Sequence, residues 1–228
     1  MQPTNFNARI IASHGRHYVA RDESGDLWYC IARGKKREVA VNDIVHLTDL
    51  NNSGDVTQPQ AVIDDMAPRH NLLKRSDQFK EKAIAANVDK VWFVVATEPS
   101  FDPELLSRVQ VACAADDIGF SIVLNKADLD DLLPRAEQLL DPFVQIGIPV
   151  IRTSTLDGRG IDQLRAQIQD HTTVVTGQSG MGKSSIINTL CPEAKATIGE
   201  ISRYLDTGRH TTTTVQAYQL NRTTTLID

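Results

Sequence analysis

The stretch Thr172-Thr173-Val174-Val175-Thr176-Gly177-Gln178-Ser179-Gly180-Met181-Gly182-Lys183-Ser184 decides the fold. Residues 177–184 match GxxxxGK[ST], and the context is the one that string needs. The β-branched run before it suits a strand, and Ser185–Leu190 can open a helix. Three glycines allow backbone N–H groups to turn inward around phosphate oxygens with no Cβ in the way. The helix N-terminus adds its dipole. Gly177, Gln178, Ser179, Gly180, Met181, Gly182, Lys183, Ser184 and Ser185 are therefore candidate phosphate-binding residues. Lys183 is expected to reach the β- and γ-phosphates, and the Ser184 hydroxyl to ligate Mg²⁺.

Working outward, the neighbouring segments alternate between strand and helix patterns. Val91–Ala96, Ser121–Leu124 and Val150–Arg152 read as buried strands. Pro103–Ala115 (capped by Asp102), Pro134–Gln145 and Ile161–Gln169 read as helices. Such alternation predicts a parallel sheet covered on both faces. Directly after the second strand comes Asn125-Lys126-Ala127-Asp128. An NKxD string at a strand end resembles the guanine-recognition element of GTPases. A carboxylate at Asp128 can accept the N1–H and a 2-amino proton of guanine, donors that adenine lacks there. The Lys126 stem can lie along the base plane, and Asn125 would tie this loop to the phosphate loop. Read by itself, Asp128 could equally cap the following helix. Thr153 and Ser154, after the next strand, sit where GTPases place a backbone N–H against the guanine O6.

Here the base-reading string precedes the phosphate loop, the reverse of the ordinary GTPase order. A parallel sheet tolerates this, because a site depends on where loops lie rather than on chain order. Downstream, Gly208-Arg209-His210-Thr211-Thr212-Thr213-Thr214 falls where a first switch belongs, with a threonine as a second Mg²⁺ ligand. Thr223–Asp228 reads as a strand ending in the Asp of a DxxG element.

The first 75 residues have a different texture. Ala8–Ser13, His17–Arg21, Leu27–Ile31, Ile44–Thr48 and Ala61–Asp65 are short β-rich runs separated by turn residues. Five short strands suit a small closed barrel of the OB or SH3-like kind. A linker is expected around Arg69–Gln78. The expected organisation is thus a small all-β barrel over residues 1–75, followed by a circularly permuted α/β P-loop GTPase domain over 76–228.

These residues resemble the ribosome small-subunit-dependent GTPase A (RsgA/YjeQ) family. The resemblance rests on the permuted order, on Ile84-Ala85-Ala86-Asn87-Val88-Asp89, on Asn125–Asp128, on the phosphate loop and on Gly208–Thr213. It implies an N-terminal OB-fold, GTP hydrolysis stimulated by the small ribosomal subunit during late maturation, and a C-terminal zinc-binding domain. It points to His210 as the residue that orients water; Thr213 is the candidate Mg²⁺ ligand beside Ser184, with the choice among the switch threonines left open. With Lys183, His210 completes the candidate catalytic pair; an exposed loop histidine is the competing reading. The chain stops at Asp228, so the rest of DxxG and the zinc domain are expected to be missing from a shortened chain. Zinc is then expected only in that missing domain, and whether such a chain turns over stays open.

Charge and composition frame the partners. The net charge is -5 at pH 7, so a nucleic-acid partner has to meet a local basic patch. Residues 1–75 hold ten Lys and Arg against nine Asp and Glu, or +1, leaving -6 for the remainder. The densest basic loop is Arg33, Lys35, Lys36 and Arg37 around Gly34. It suits rRNA phosphates, although a solvated charged turn has the same composition. Three scattered cysteines and no long apolar run point to a cytoplasmic protein. GTP or GDP with Mg²⁺, the small subunit and its rRNA, no membrane, and a monomeric state complete the expectations. A nucleotide-sensing RNA-binding module without turnover, or a permuted GTPase of the large subunit, are the alternatives.

Overall fold

The computed structural model describes residues 5–32, 38–50, 60–76, 81–194 and 215–228. They fall into two units, divided at Asn87 and Val88. In the first unit, β1 (Asn5–His14), β2 (His17–Asp22), β3 (Leu27–Ala32), β4 (Ile44–Asp49) and β5 (Gln60–Met66) form a ring. Antiparallel pairs link β1 to β2, β2 to β3, β4 to β5 and β1 to β4, and β3 pairs parallel with β5. The ring closes because β1 serves two neighbours. Asn5–Arg9 pair with β4 and Ala8–His14 with β2, with a register shift between Ile10 and Ala12. An irregularity of this kind bends a strand and increases its twist, as a small barrel requires. Ile10, Val19, Cys30, Val45, Leu47 and Ile63 are buried. This is the small closed barrel that the turn spacing predicts, and it is OB-like, as the resemblance implies.

The region expected to be a linker is instead a hairpin, β6 (Leu72–Ser76) with β7 (Glu81–Ala86). Long-range contacts hold it, which is why local composition gave no sign of it. Leu72, Ala83 and Ala86 pack with Ala40, and Val41 bridges to Ala85. The Asn42 amide donates to Ala86 O at 2.9 Å, and the Arg69 guanidinium grips Asp43 with contacts of 2.7 and 2.6 Å. The first unit therefore runs past the expected boundary at residue 75, as far as Asn87.

In the second unit the elements are β8 (Lys90–Ala96), α1 (Pro103–Ala115), β9 (Gly119–Asn125), α2 (Leu133–Gln145), β10 (Val150–Arg152), α3 (Ile161–Ile168), β11 (Thr172–Thr176), α4 (Lys183–Leu190) and, after β12 (Val215–Gln219), β13 (Thr225–Ile227). The sheet order is β10-β9-β8-β11-β13, every neighbour parallel. Val91–Ala96 are all buried, the continuous apolar run of a strand covered on both faces. The expected Asp102 cap is present: its carboxylate accepts the Glu104 N–H at 2.8 Å. A second difference from the expected domains concerns β12. Residues Val215–Tyr218 belong to the first unit, because β12 pairs with β1 at Ala12–Gln216 and Ser13–Val215.

Burial pushes the Cys30 thiol up to about 12 and Cys113 to about 11, so both are protonated at neutral pH. Among the described residues, no helix is long and apolar enough to cross a membrane.

Candidate functional site

Parallel strands send all their C-terminal ends to one edge of the sheet, so the loops after β8, β9, β10, β11 and β13 gather there. The glycine-rich loop leaves β11 close against β8. Gly177 has φ +140°, and a Cβ there would stand 2.2 Å from the Val94 carbonyl oxygen. Gly182 has φ +89°, and its Cβ would stand 2.2 Å from Asn125 Nδ2. Any side chain at either position is excluded by the neighbouring strand or by the base loop. Met181 is buried and anchors the turn. Ser179 and Gly180 are exposed, as are Ser184 and Ser185 in the first turn of α4. Lys183 opens α4, and its ammonium donates to the carbonyls of Gly177 at 2.9 Å and Gln178 at 2.7 Å. The Gln178 side chain accepts the Asp102 N–H at 2.9 Å, tying the loop to the start of α1.

The NKxD loop meets this loop directly. Asn125, buried at the end of β9, donates from Nδ2 to Met181 O at 3.0 Å. Lys126 sits at φ +57°. Its backbone carbonyl accepts the Thr97 hydroxyl at 3.0 Å, and its ammonium donates to Glu98 O at 2.6 Å. The lysine is thus held at both ends. Asp128 is half-buried.

Thr153 and Ser154 are both fully buried and serve the scaffold. The Thr153 N–H donates to Leu124 O at 2.8 Å, and the Ser154 N–H to Arg159 O at 2.9 Å. The Thr153 hydroxyl reaches Asn125 Oδ1 at 3.3 Å, steadying the side chain that crosses to Met181. The Ser154 hydroxyl accepts the Leu156 and Asp157 N–H groups at 3.1 and 3.3 Å. The sequence placed the base-facing amide in this pair, but both N–H groups are committed to protein carbonyls. Thr97, Glu98 and Arg159 were not anticipated. Thr97 and Glu98 lack any local signal, and Arg159 is marked only by its place between Gly158 and Gly160.

Asp228 follows β13 on the same edge. Its surroundings desolvate the carboxyl and raise its pKa, although the residue as a whole is exposed, and the Lys183 charge opposes the rise. The terminal aspartate and the phosphate-loop lysine are therefore electrostatic neighbours. Arg33, Lys35, Lys36 and Arg37 lie outside the described residues, as do His210, Thr213 and the rest of the 208–214 string.

Comparison with known proteins gives the family. The family model described as RsgA GTPase matches residues 66–228. The chain is 44% identical over 225 residues to the small ribosomal subunit biogenesis GTPase RsgA of Burkholderia pseudomallei (strain K96243), covering 96% of this chain and 69% of that protein. It is 42% identical over 220 residues to the protein of the same name from Paraburkholderia phytofirmans, covering 95% and 68%. Among solved structures, YjeQ from Thermotoga maritima superposes with a TM-score of 0.67 at 25% identity, covering 99% of this chain and 74% of that one. YloQ, described as a circularly permuted GTPase, gives 0.60 at 25% identity, covering 99% and 71%.

Proposed function

The chain belongs to the RsgA GTPase family, and from that premise we propose that it binds guanine nucleotide at the β-strand C-terminal edge, hydrolyses GTP, and acts in late maturation of the small ribosomal subunit. One contact carries the reading: the Asn125 amide on the Met181 carbonyl. It joins a guanine-type base loop to a phosphate loop, so base identity and phosphate binding are read by one connected structure. The loop amides and the α4 N-terminus receive the phosphates. Lys183 trades its bonds to Gly177 and Gln178 for phosphate oxygens, and Asp128 takes the guanine N1–H and 2-amino group. The amide facing O6 is then that of Thr155, the next one along from the committed Thr153 and Ser154.

The donor set suits magnesium. An exposed Ser184 hydroxyl lies one residue after Lys183, and the Asp228 carboxylate lies within electrostatic reach of that lysine. Both offer the hard oxygen ligands that Mg²⁺ prefers. Thr213 joins this set by its place in the switch string, and His210 orients water on the strength of the resemblance. The ion, when bound, neutralises charge on the phosphate oxygens. The OB-like barrel with Arg33, Lys35, Lys36 and Arg37 supplies the rRNA-facing surface. A monomer working on ribosomal subunits in the cytoplasm fits these roles.

Two variants test the site. Lys183→Ala should weaken GTP and GDP binding about 10- to 100-fold, the value of a charge-assisted contact of about 1.5–3 kcal/mol. Ser184→Ala should leave nucleotide affinity nearly indifferent to chelation of Mg²⁺, where the parent chain loses affinity. Titration calorimetry with and without chelator reads both. Parent-like curves from both variants would remove the phosphate-loop assignment.

A further inference from the structure

The loop that follows β10 turns sharply and brings one side chain back over the base loop. Gly160 has φ +71°, and a Cβ there would stand 2.0 Å from Arg152 O. The Ser154 hydroxyl gathers the N–H groups of Leu156 and Asp157. This turn leaves Arg159 pointing at the β9–α2 connection. Its guanidinium donates to Ala127 O and to Asp130 Oδ1, the latter at 3.2 Å, and pairs with Asp157 Oδ2 at 3.3 Å.

The Ala127 carbonyl is a consequential acceptor, because it shares one rigid peptide plane with the Asp128 N–H. Ala127 is pinned from the other side by its own N–H, which donates to Thr153 O at 2.9 Å. Thr153 thus fixes the peptide plane before Ala127, and the guanidinium holds the next plane, the one that launches Asp128. Asp128 also lies within electrostatic reach of the guanidinium. Three carboxylates, Asp128, Asp130 and Asp157, surround this one cation, so removing it leaves like charges crowding the base loop.

We propose that Arg159 is a positioning residue for guanine recognition: by fixing the Ala127–Asp128 peptide plane, it aims the Asp128 carboxylate at the N1–H and 2-amino groups of the base. The inference rests on the guanine-nucleotide reading above. A lysine cannot replace it fully, since a carbonyl and two carboxylates are met by a planar fork that an ammonium lacks.

Inosine diphosphate isolates the effect, because it keeps N1–H and lacks the 2-amino group. GDP, IDP and ADP are titrated against the parent chain, Arg159→Met and Arg159→Lys, and the melting temperature of each is recorded. The parent should prefer GDP over IDP by about 10- to 100-fold, the worth of one hydrogen bond to a charged acceptor. In Arg159→Met that preference should fall about tenfold, as the hydrogen bond to the charged acceptor loses its alignment. ADP binding should not change, and Arg159→Lys should fall between the two. A purely structural role would weaken GDP and IDP equally, in step with a lower melting temperature, and would overturn the inference. So would either variant keeping the full parent preference. If the parent itself binds GDP and ADP alike, the guanine reading fails, and the inference falls with it.

Discussion

Replacing Asp128 by asparagine should cost GDP affinity about 100-fold or more, and should create affinity for xanthosine diphosphate. The carboxylate is an acceptor only and meets two donors on the Watson–Crick edge of guanine. A site built around such a pair rejects a mismatched partner strongly. Asparagine keeps one acceptor and supplies an amide N–H₂ instead, which opposes the guanine 2-amino group. Xanthine carries a carbonyl at that position and accepts from the same N–H₂. The substitution is nearly isosteric, so the bond from Asn125 to Met181 and the phosphate loop beyond it should persist. Competition titration with GDP, XDP and ADP reads the outcome. An unchanged GDP affinity would remove Asp128 from base recognition.

The second large effect concerns stability rather than nucleotide. Asp43 is 1% exposed, and Arg69 at 19% grips both its carboxylate oxygens. Asp43 Oδ2 also accepts the Ala40 N–H at 2.7 Å. The hydrogen bonds from Arg69 to Asp43 raise the pKa of the guanidinium, with burial opposing the rise. Arg69→Met leaves a buried carboxylate without its cation, which costs about 3–5 kcal/mol. Urea unfolding followed through Trp28, in the barrel, should show the loss. Arg69→Met with Asp43→Asn should recover more than half, because the amide carbonyl still accepts from Ala40 and no charge remains. A loss below about 1 kcal/mol in the single variant would place the pair with ordinary surface ion pairs.

What the sequence disclosed follows from where the determining interactions lie. Strand and helix positions in the second unit came from local periodicity, and α1 and β10 have the bounds that periodicity predicts. The glycine-rich turn at residues 177–182 was legible because glycines stand where a Cβ would strike Val94 or Asn125. The Leu72–Ala86 hairpin was not legible. Its strands are short, alanine-rich or charged, and it is held by Asn42, Val41 and the Arg69–Asp43 pair from distant parts of the chain. The same limit hid the braces of the site. Thr97, Glu98 and Arg159 act through contacts with Lys126 and Ala127 at separations near 30 residues. A threonine and a serine in a loop, such as Thr153 and Ser154, do not reveal which of their N–H groups are already bonded.

Coupling of this GTPase to the small ribosomal subunit is read from GTP turnover. Phosphate release by this chain is measured with GTP or ATP, alone and with purified small or large subunits. Hydrolysis of GTP and not of ATP, accelerated by small subunits and not by large ones, is the predicted result. Turnover that is indifferent to the subunit supplied, or that proceeds equally with ATP, would contradict the account.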